Sequence, residues 1–314
     1  MTVVWLENEA MRVGVNPAYG ARVTSLVDKA TGRDWIAPGG ESPATGEDAV
    51  YLADEAVGWD ECFPTVAPWD ATGTAWARVL RDHGDLWGRP WAVEGASLSA
   101  LATAYETGEF SFRRRLALRG TVLNAEYEVE NRGAAGLPAM WALHALLRVT
   151  PDDRIVLPSL KGVDATYLAH GGRSLPIGNF RWPGPGPGMP IGLDAVHPVA
   201  EQFAAKLYAS DVGIASASVG NDGGYLTIAW NADELAHVGL WLNYGGWPEP
   251  GAVRHIAIEP TTAPVDDLGG AIANGTALML APGGAKRWAV TLTLDHAMLP
   301  ETSKPRPRPR TRSK

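Results

Sequence analysis

The segment Phe110 to Glu130 reads F-S-F-R-R-R-L-A-L-R-G-T-V-L-N-A-E-Y-E-V-E and decides the fold class. In both halves apolar side chains alternate with charged or polar ones, and Arg119-Gly120 separates the halves. An alternation of period two is typical of strands that have one buried face and one wet face. We therefore predict an antiparallel hairpin in which arginines of the first strand pair with glutamates of the second.

Strand-length segments also fill most of the remaining chain, where 36 glycines and 24 prolines interrupt them. We predict one short helix, at residues 199–208, and a hairpin that closes the fold between residues 277–280 and 288–294. The pattern indicates an all-β protein, a large antiparallel sandwich formed by one domain at residues 1–297. Further strands are predicted at residues 11–15, 21–28, 33–36, 139–149, 225–231, 237–244 and 252–259.

The formal net charge of −8 is unevenly distributed along the 314 residues. Residues 298–314 form a basic, proline-alternating tail that we expect to be disordered, so the rest of the chain is more acidic than the total suggests. An acidic body argues against nucleic-acid binding. We find no secretory signal and no apolar run that could span a membrane, and we expect a soluble, cytoplasmic protein.

The sequence lacks the local motifs of several large enzyme classes. It has no G-x-S-x-G elbow, no P-loop and no dinucleotide fingerprint in the right context. Cys62 is the single cysteine, and no H-x-H or H-x-x-x-H pair occurs, so a zinc site would need ligands distant in sequence. We therefore predict neither a metal nor another cofactor.

The segment Asp82 to Trp91, D-H-G-D-L-W-G-R-P-W, concentrates chemically active side chains. Its two glycines and its proline predict a loop, which leads into a strand near Trp91. His83 can exchange a proton near neutral pH, and Trp87 and Trp91 offer flat apolar faces with a polar edge. This mixture suits a sugar-binding loop, although packing between sheets is the commoner role of any single tryptophan.

Two strands downstream carry further candidates. His144 lies in the otherwise apolar W-A-L-H-A-L-L-R-V, where a lone histidine is more often a satisfied core group than a catalyst. Glu259 follows the apolar H-I-A-I and precedes Pro260, which we expect to end that strand and to leave the carboxylate at the rim of the sheet. The alternatives for this glutamate are a salt bridge to an arginine such as Arg254 and a turn cap.

Taken in order, six short motifs resemble the aldose 1-epimerase (galactose mutarotase-like) superfamily, and the likeness covers almost the whole body of the chain. Each motif is weak alone, and their number, order and spacing carry the resemblance. They are N-P-A-Y-G-A-R-V-T-S-L-V-D (16–28), D-E-C-F-P-T (60–65), D-H-G-D-L-W-G-R-P-W (82–91), W-A-L-H (141–144), I-E-P-T-T-A-P-V-D-D-L (258–268) and L-A-P-G-G-A-K-R-W-A-V (280–290).

The resemblance implies a β-supersandwich with a sugar bound on one open sheet face. It assigns sugar binding to His83, the general acid to His144 and the general base to Glu259. Such an enzyme interconverts α and β anomers: a base takes the anomeric hydroxyl proton and an acid protonates the ring oxygen. A carboxylate and an imidazole suffice for this reaction, in agreement with the absence of cofactor motifs.

Four residues are second-tier candidates for contacts with the sugar, namely Arg89, Trp87, Asp60 and Trp241. Because adjacent strand residues point to opposite faces, only one of Asp60 and Glu61 readily faces a given cleft. The N-R segment of the family and the aromatic residues after the mid-chain histidine are missing, so the substrate stays open. D-E-C-F-P followed by H-G is closer to the hexose-6-phosphate branch, for which Arg81 and Arg89 are the candidate phosphate ligands.

Two other functions remain open at the level of sequence. One is a non-catalytic carbohydrate-binding protein, which the 13 tryptophans and the altered surroundings of His144 would suit. The other is a glycoside-cleaving enzyme that pairs Glu259 with a second carboxylate such as Asp60 or Asp82. The two carboxyl groups would be about 5 Å apart in a retaining hydrolase and about 6.5–9.5 Å apart in an inverting one.

Overall fold

A computed structural model of the protein describes residues 3–39, 46, 49–51, 56–209, 213–248 and 253–296. Within these ranges the chain forms 23 strands and two short helical segments, so the predicted all-β class is confirmed. The helical segments, three and six residues long, are too short to cross a bilayer. The basic tail lies outside the described residues.

The helical segments are a 3-10 turn at Val199–Glu201 and helix α1 at Leu268–Ala273, whose first turn is capped by Asp267. The strands, in chain order, are β1 (Val4–Glu7), β2 (Met11–Asn16), β3 (Arg22–Asp28), β4 (Trp59–Cys62), β5 (Trp69–Asp70), β6 (Val79–Leu80), β7 (Ala92–Ala96), β8 (Ala100–Glu106), β9 (Phe110–Arg119), β10 (Val122–Asn131), β11 (Leu137–Ala139), β12 (Ala142–Arg148), β13 (Arg154–Val156), β14 (Gly162–His170), β15 (Arg173–Ser174), β16 (Gly178–Arg181), β17 (Phe203–Ala209), β18 (Ser216–Asn221), β19 (Gly224–Trp230), β20 (His237–Tyr244), β21 (Arg254–Thr261), β22 (Leu278–Leu280) and β23 (Ala285–Asp295).

Two large sheets organise these strands. The first has eleven strands in the order β1-β2-β3-β4-β12-β21-β20-β17-β14-β15, with β16 also paired to β14. The second has eight strands in the order β13-β18-β19-β23-β10-β9-β8-β7. One cluster of buried apolar side chains joins the sheets, for example Val13 and Leu26 from the first and Leu123 and Leu292 from the second. The protein is therefore a large antiparallel β-sandwich.

The hairpin predicted from residues 110–130 is present as β9 and β10, paired in antiparallel register. Arg115 lies directly opposite Glu126, and their side chains form an exposed ion pair of 3.2 Å. Arg113 lies opposite Glu128 and also binds Glu106 at 2.7 Å. The charged face of the hairpin is thus turned to solvent, as the alternation predicted.

A buried polar cluster connects the sheets beneath this hairpin. Glu61 on β4 accepts hydrogen bonds from Arg114 Nη1 at 2.9 Å, Tyr127 Oη at 3.1 Å, Trp59 Nε1 at 3.0 Å and Trp141 Nε1 at 3.0 Å. Burial raises the pKa of Glu61 to about 7, and the Arg114 charge and these donors oppose that rise. Each carboxylate oxygen has a partner, which is the condition for keeping such a group inside a core.

The helix predicted at residues 199–208 is wrong. Only the 3-10 turn at Val199–Glu201 is helical, and Phe203–Ala209 is strand β17. Its sequence F-A-A-K-L-Y-A has good intrinsic helix propensity, but all seven side chains are buried and the strand pairs with β14 and β20. Ladder pairing in the middle of a sheet outweighs a propensity of a few tenths of a kcal/mol per residue.

Three other local predictions need correction. The closing hairpin is wrong, because β22 pairs with β11 whereas β23 lies between β10 and β19. Residues 33–36 form isolated bridges instead of a strand. Pro260 does not end strand β21 as we expected, because the strand continues through it to Thr261. A proline near the end of a strand lacks one N–H donor and so removes only one hydrogen bond of the ladder.

Candidate functional site

A cavity of about 280 Å³ opens on the outer face of the eleven-stranded sheet, over its central strands. Alternation along β12 and β21 sends Leu143 and Ile258 into the core and sends His144 and Glu259 to this outer face. The polar lining consists of Asp82, His83, His144, Lys206, Glu259 and Asp266, and the aromatic lining of Tyr51, Tyr167, Trp241 and Trp247. Glu259 therefore lies within a sheet face and not at the rim that the sequence predicted.

Glu259 forms a buried ion pair with Lys206 on β17. The ammonium nitrogen binds Oε2 of the carboxylate, and the two side chains are 10% and 1% exposed. Burial disfavours the charged form of Lys206, but the attraction to Glu259 outweighs it and raises the pKa of Lys206 above its ordinary value. Oε1 is buried and has no hydrogen-bond partner within the described chain. Arg254, the alternative partner, instead donates to the Val149 carbonyl at 3.0 Å.

His144 is 6% exposed, and burial lowers its pKa well below the ordinary value. Its neighbours His83 and Lys206 lower the pKa further, so the imidazole is neutral near pH 7. Its Nδ1 is buried and has no hydrogen-bond partner among the described residues. His144 thus differs from a satisfied core histidine, which would have both ring nitrogens paired.

His83 is brought beside His144 by the predicted loop, which leads into β7 at Ala92. The two imidazole centroids are 4.7 Å apart, and His83 stacks on Tyr51 with a centroid distance of 3.6 Å. His83 Nδ1 hydrogen-bonds Asp82 Oδ1 at 3.0 Å, which orients the ring. Gly84 follows with φ near +72°, and a Cβ there would lie 2.1 Å from the Phe63 carbonyl oxygen, so only glycine fits.

One glycine makes room for the carboxylate. Tyr208, Gly239 and Glu259 are direct neighbours across β17, β20 and β21. A Cβ on Gly239 would lie 3.1 Å from Glu259 Oε2 and 3.2 Å from Tyr208 Cε1. Tyr208 in turn donates to Asp266 Oδ1 at 2.8 Å, which ties the loop before α1 to the cavity.

Aromatic side chains form the walls of the cavity. Trp241 donates from Nε1 to His255 Nε2 at 3.0 Å, so its ring is held in place by a neutral histidine. Tyr167 and Trp247 lie at centroid distances of 5.9 and 5.8 Å from Trp241. These rings combine apolar faces with polar edges, a surface that suits the C–H and hydroxyl groups of a sugar.

Four of the seven residues predicted from sequence line this cavity, namely His83, His144, Trp241 and Glu259. The other three are not among its lining residues. Asp60 is buried in an ion pair with Arg22, whose Nε donates to Asp60 Oδ2 at 2.9 Å. Trp87 is fully buried behind Tyr51 and donates from Nε1 to the Asp82 carbonyl oxygen. Arg89 is half-buried in the adjoining loop.

Sequence reasoning missed two polar groups of the cavity and one cluster beside it. Lys206 was hidden in the segment predicted as helix, and a lysine inside F-A-A-K-L-Y-A was the available signal. Asp266 lies in the quoted I-E-P-T-T-A-P-V-D-D-L motif. Cys62, His83 and His144 each place one metal-binding atom within 4.8 Å of the others, so the distant ligands that a metal site would require do meet in this structure.

No protein-family model and no curated protein matches the chain. Solved structures do match over nearly all of it. A galactose mutarotase-like protein from Lactobacillus casei ATCC 334 is 17% identical, and the match covers 94% of this chain and 100% of that one with a TM-score of 0.66. A galactose mutarotase related enzyme from Lactobacillus acidophilus is 14% identical, with 94% and 97% of the two chains covered and a TM-score of 0.65. A galactose mutarotase-like protein from Clostridium acetobutylicum is 14% identical, with 93% and 94% covered and a TM-score of 0.65. The chain therefore has the galactose mutarotase-like fold that its motifs predicted.

Proposed function

We propose that the protein is an aldose 1-epimerase-like enzyme that interconverts the α and β anomers of a sugar. The observation that carries this proposal is that a carboxyl group and an imidazole, those of Glu259 and His144, face one aromatic-walled cavity. The pair of groups matches the acid/base requirement of ring opening. The cavity, about 280 Å³, is below the usual range for drug-sized ligands and suits a monosaccharide.

Glu259 is the base in this proposal. It removes the proton of the anomeric hydroxyl, the electron pair forms the carbonyl of the open-chain aldehyde, and the bond between C1 and the ring oxygen breaks. The ring oxygen takes a proton from His144, the aldehyde turns about its bond to C2, and the reverse steps close the other anomer. Lys206 binds the carboxylate through Oε2 and so fixes its position.

A free sugar suits the cavity better than a sugar phosphate. Lys206 is the one lysine or arginine among the described lining residues, and its charge is already balanced by Glu259. Arg81, a candidate phosphate ligand from sequence, donates to the carbonyl oxygens of Gly84 and Trp87 at 2.7 and 2.5 Å and so holds the loop. Arg89 is not among the lining residues.

A second candidate, a non-catalytic carbohydrate-binding protein, is favoured by one specific observation. His144 is neutral near pH 7 because burial lowers its pKa, so the acid of the reaction carries its extra proton in only a small fraction of molecules. A binding protein would use the same aromatic walls and would need no proton transfer.

Proton exchange spectroscopy with a panel of free aldoses and aldose 6-phosphates distinguishes these candidates. We expect the protein to accelerate exchange between the anomers of a free aldose, and Glu259→Gln to abolish the acceleration while sugar binding persists. Glu201→Gln, which changes a half-exposed carboxylate outside the cavity, is the matched control. Saturable binding without faster exchange would support the binding protein, and unchanged turnover in Glu259→Gln would refute the mechanism.

A further inference from the structure

Three potential metal ligands from three distant segments meet beside the cavity, which two of them, His83 and His144, line. Cys62 ends strand β4, His83 lies in the loop before β7, and His144 lies on β12. One ligand atom from each lies within 4.8 Å of the other two. Thiolate and neutral imidazole are the ligands that Zn²⁺ prefers, and three protein ligands leave its fourth position open.

Two further observations indicate a site for a ligand. His83 Nδ1 hydrogen-bonds Asp82 at 3.0 Å, the outer contact that metal-binding histidines usually make and one that leaves Nε2 available as ligand. The His144 side chain is only 6% exposed, and its Nδ1 has no hydrogen-bond partner in the described chain. A buried polar nitrogen without a partner costs free energy, which a bound ligand would recover.

We propose that Cys62, His83 and His144 form a binding site for one Zn²⁺ ion, whose fourth position faces the cavity. Zn–N bonds of about 2.0–2.1 Å and Zn–S bonds of about 2.3 Å put tetrahedral ligand atoms about 3.3–3.6 Å apart. The ligand atoms, which lie within 4.8 Å of one another, would therefore have to approach by at most about 1.5 Å. As the Zn–S bond forms, the Cys62 thiol releases its proton to solvent. Asp82 contributes a negative charge beside the ion.

The proposed ion and the proposed epimerase reaction exclude each other, because His144 cannot bind Zn²⁺ and also serve as the acid. Zinc binding therefore inhibits any anomer exchange in this cavity. The binding site itself does not depend on the proposed function, since it can be measured without a sugar.

The test uses the full, untagged, reduced chain after removal of metal with a chelator. Calorimetric titration with Zn²⁺ alone should give one ion per chain. Co²⁺ at the same site should show an absorption band for charge transfer from thiolate to cobalt. Cys62→Ala should remove that band and weaken Zn²⁺ binding at least about 100-fold, and Asp82→Asn should weaken it about 10- to 100-fold.

Two further variants make the result decisive. His83→Gln changes a loop residue outside the strands and should weaken binding to a similar degree even if Cys62→Ala folds poorly. His170→Gln changes a histidine that is 33% exposed and is not part of this group, and it should bind as the wild type does. Substoichiometric binding, a missing thiolate band, or affinities of Cys62→Ala and His83→Gln within about threefold of wild type would overturn the proposal.

Discussion

Arg113 and Arg114 are adjacent on β9 and have opposite environments, which allows a matched test of the sandwich core. Arg114 has no exposed side-chain surface and donates to the equally buried Glu61 at 2.9 Å. Arg113 is 35% exposed and binds surface glutamates. We predict that Arg114→Met lowers the free energy of unfolding by about 3–5 kcal/mol, because it leaves a buried carboxylate without a counter-charge.

The control substitution on the same strand, Arg113→Met, should cost no more than about 1 kcal/mol, the usual value of an exposed ion pair. Urea unfolding at about pH 8, where the Glu61 carboxylate is mostly ionised, measures both variants. The double variant Glu61→Gln with Arg114→Met removes both charges and should recover much of the loss. Equal costs for Arg113→Met and Arg114→Met would refute the reasoning.

Three further predictions concern the site and the core. Gly239→Ala puts a methyl group 3.1 Å from Glu259 Oε2, so the carboxylate should shift by a few tenths of an ångström. In the folded variant, kcat for anomer exchange should fall about 10-fold, and unchanged kinetics would contradict this prediction. Trp241→Ala removes a cavity wall and should raise the sugar Kd, measured by titration, about 2- to 10-fold; an unaltered Kd would place the sugar elsewhere. Burial raises the pKa of Glu61 from 4.5 to about 7, so between these pH values the folded state holds a proton that the unfolded state has lost. As pH increases through this interval, the free energy of unfolding of the wild type, measured in urea titrations, should fall by about 3 kcal/mol relative to that of Glu61→Gln. A pH-independent difference would contradict the buried carboxyl.

Local patterns predicted the elements that depend on alternation alone. Residues 110–130 form the expected hairpin because each strand has one face for the core and one for water. The loop around His83 was predictable because glycine and proline restrict the backbone, and Gly84 indeed has a positive φ. Strand β17 was not predictable, since its alanines favour a helix until β14 and β20 bind both edges.

The sequence by itself predicted the class of the fold, because strand periodicity is a local property. The choice of His83, His144 and Glu259 as site residues came from the resemblance that the order of the motifs carries, since the local pattern around His144 and Glu259 also suits structural roles. Only the tertiary structure decided which side chains meet: Lys206 pairs with Glu259, and Cys62 approaches both histidines. The physical reason is strand order, since β4, β12, β21, β20 and β17 are neighbours in the sheet although they are far apart in the chain, and no local pattern encodes their register.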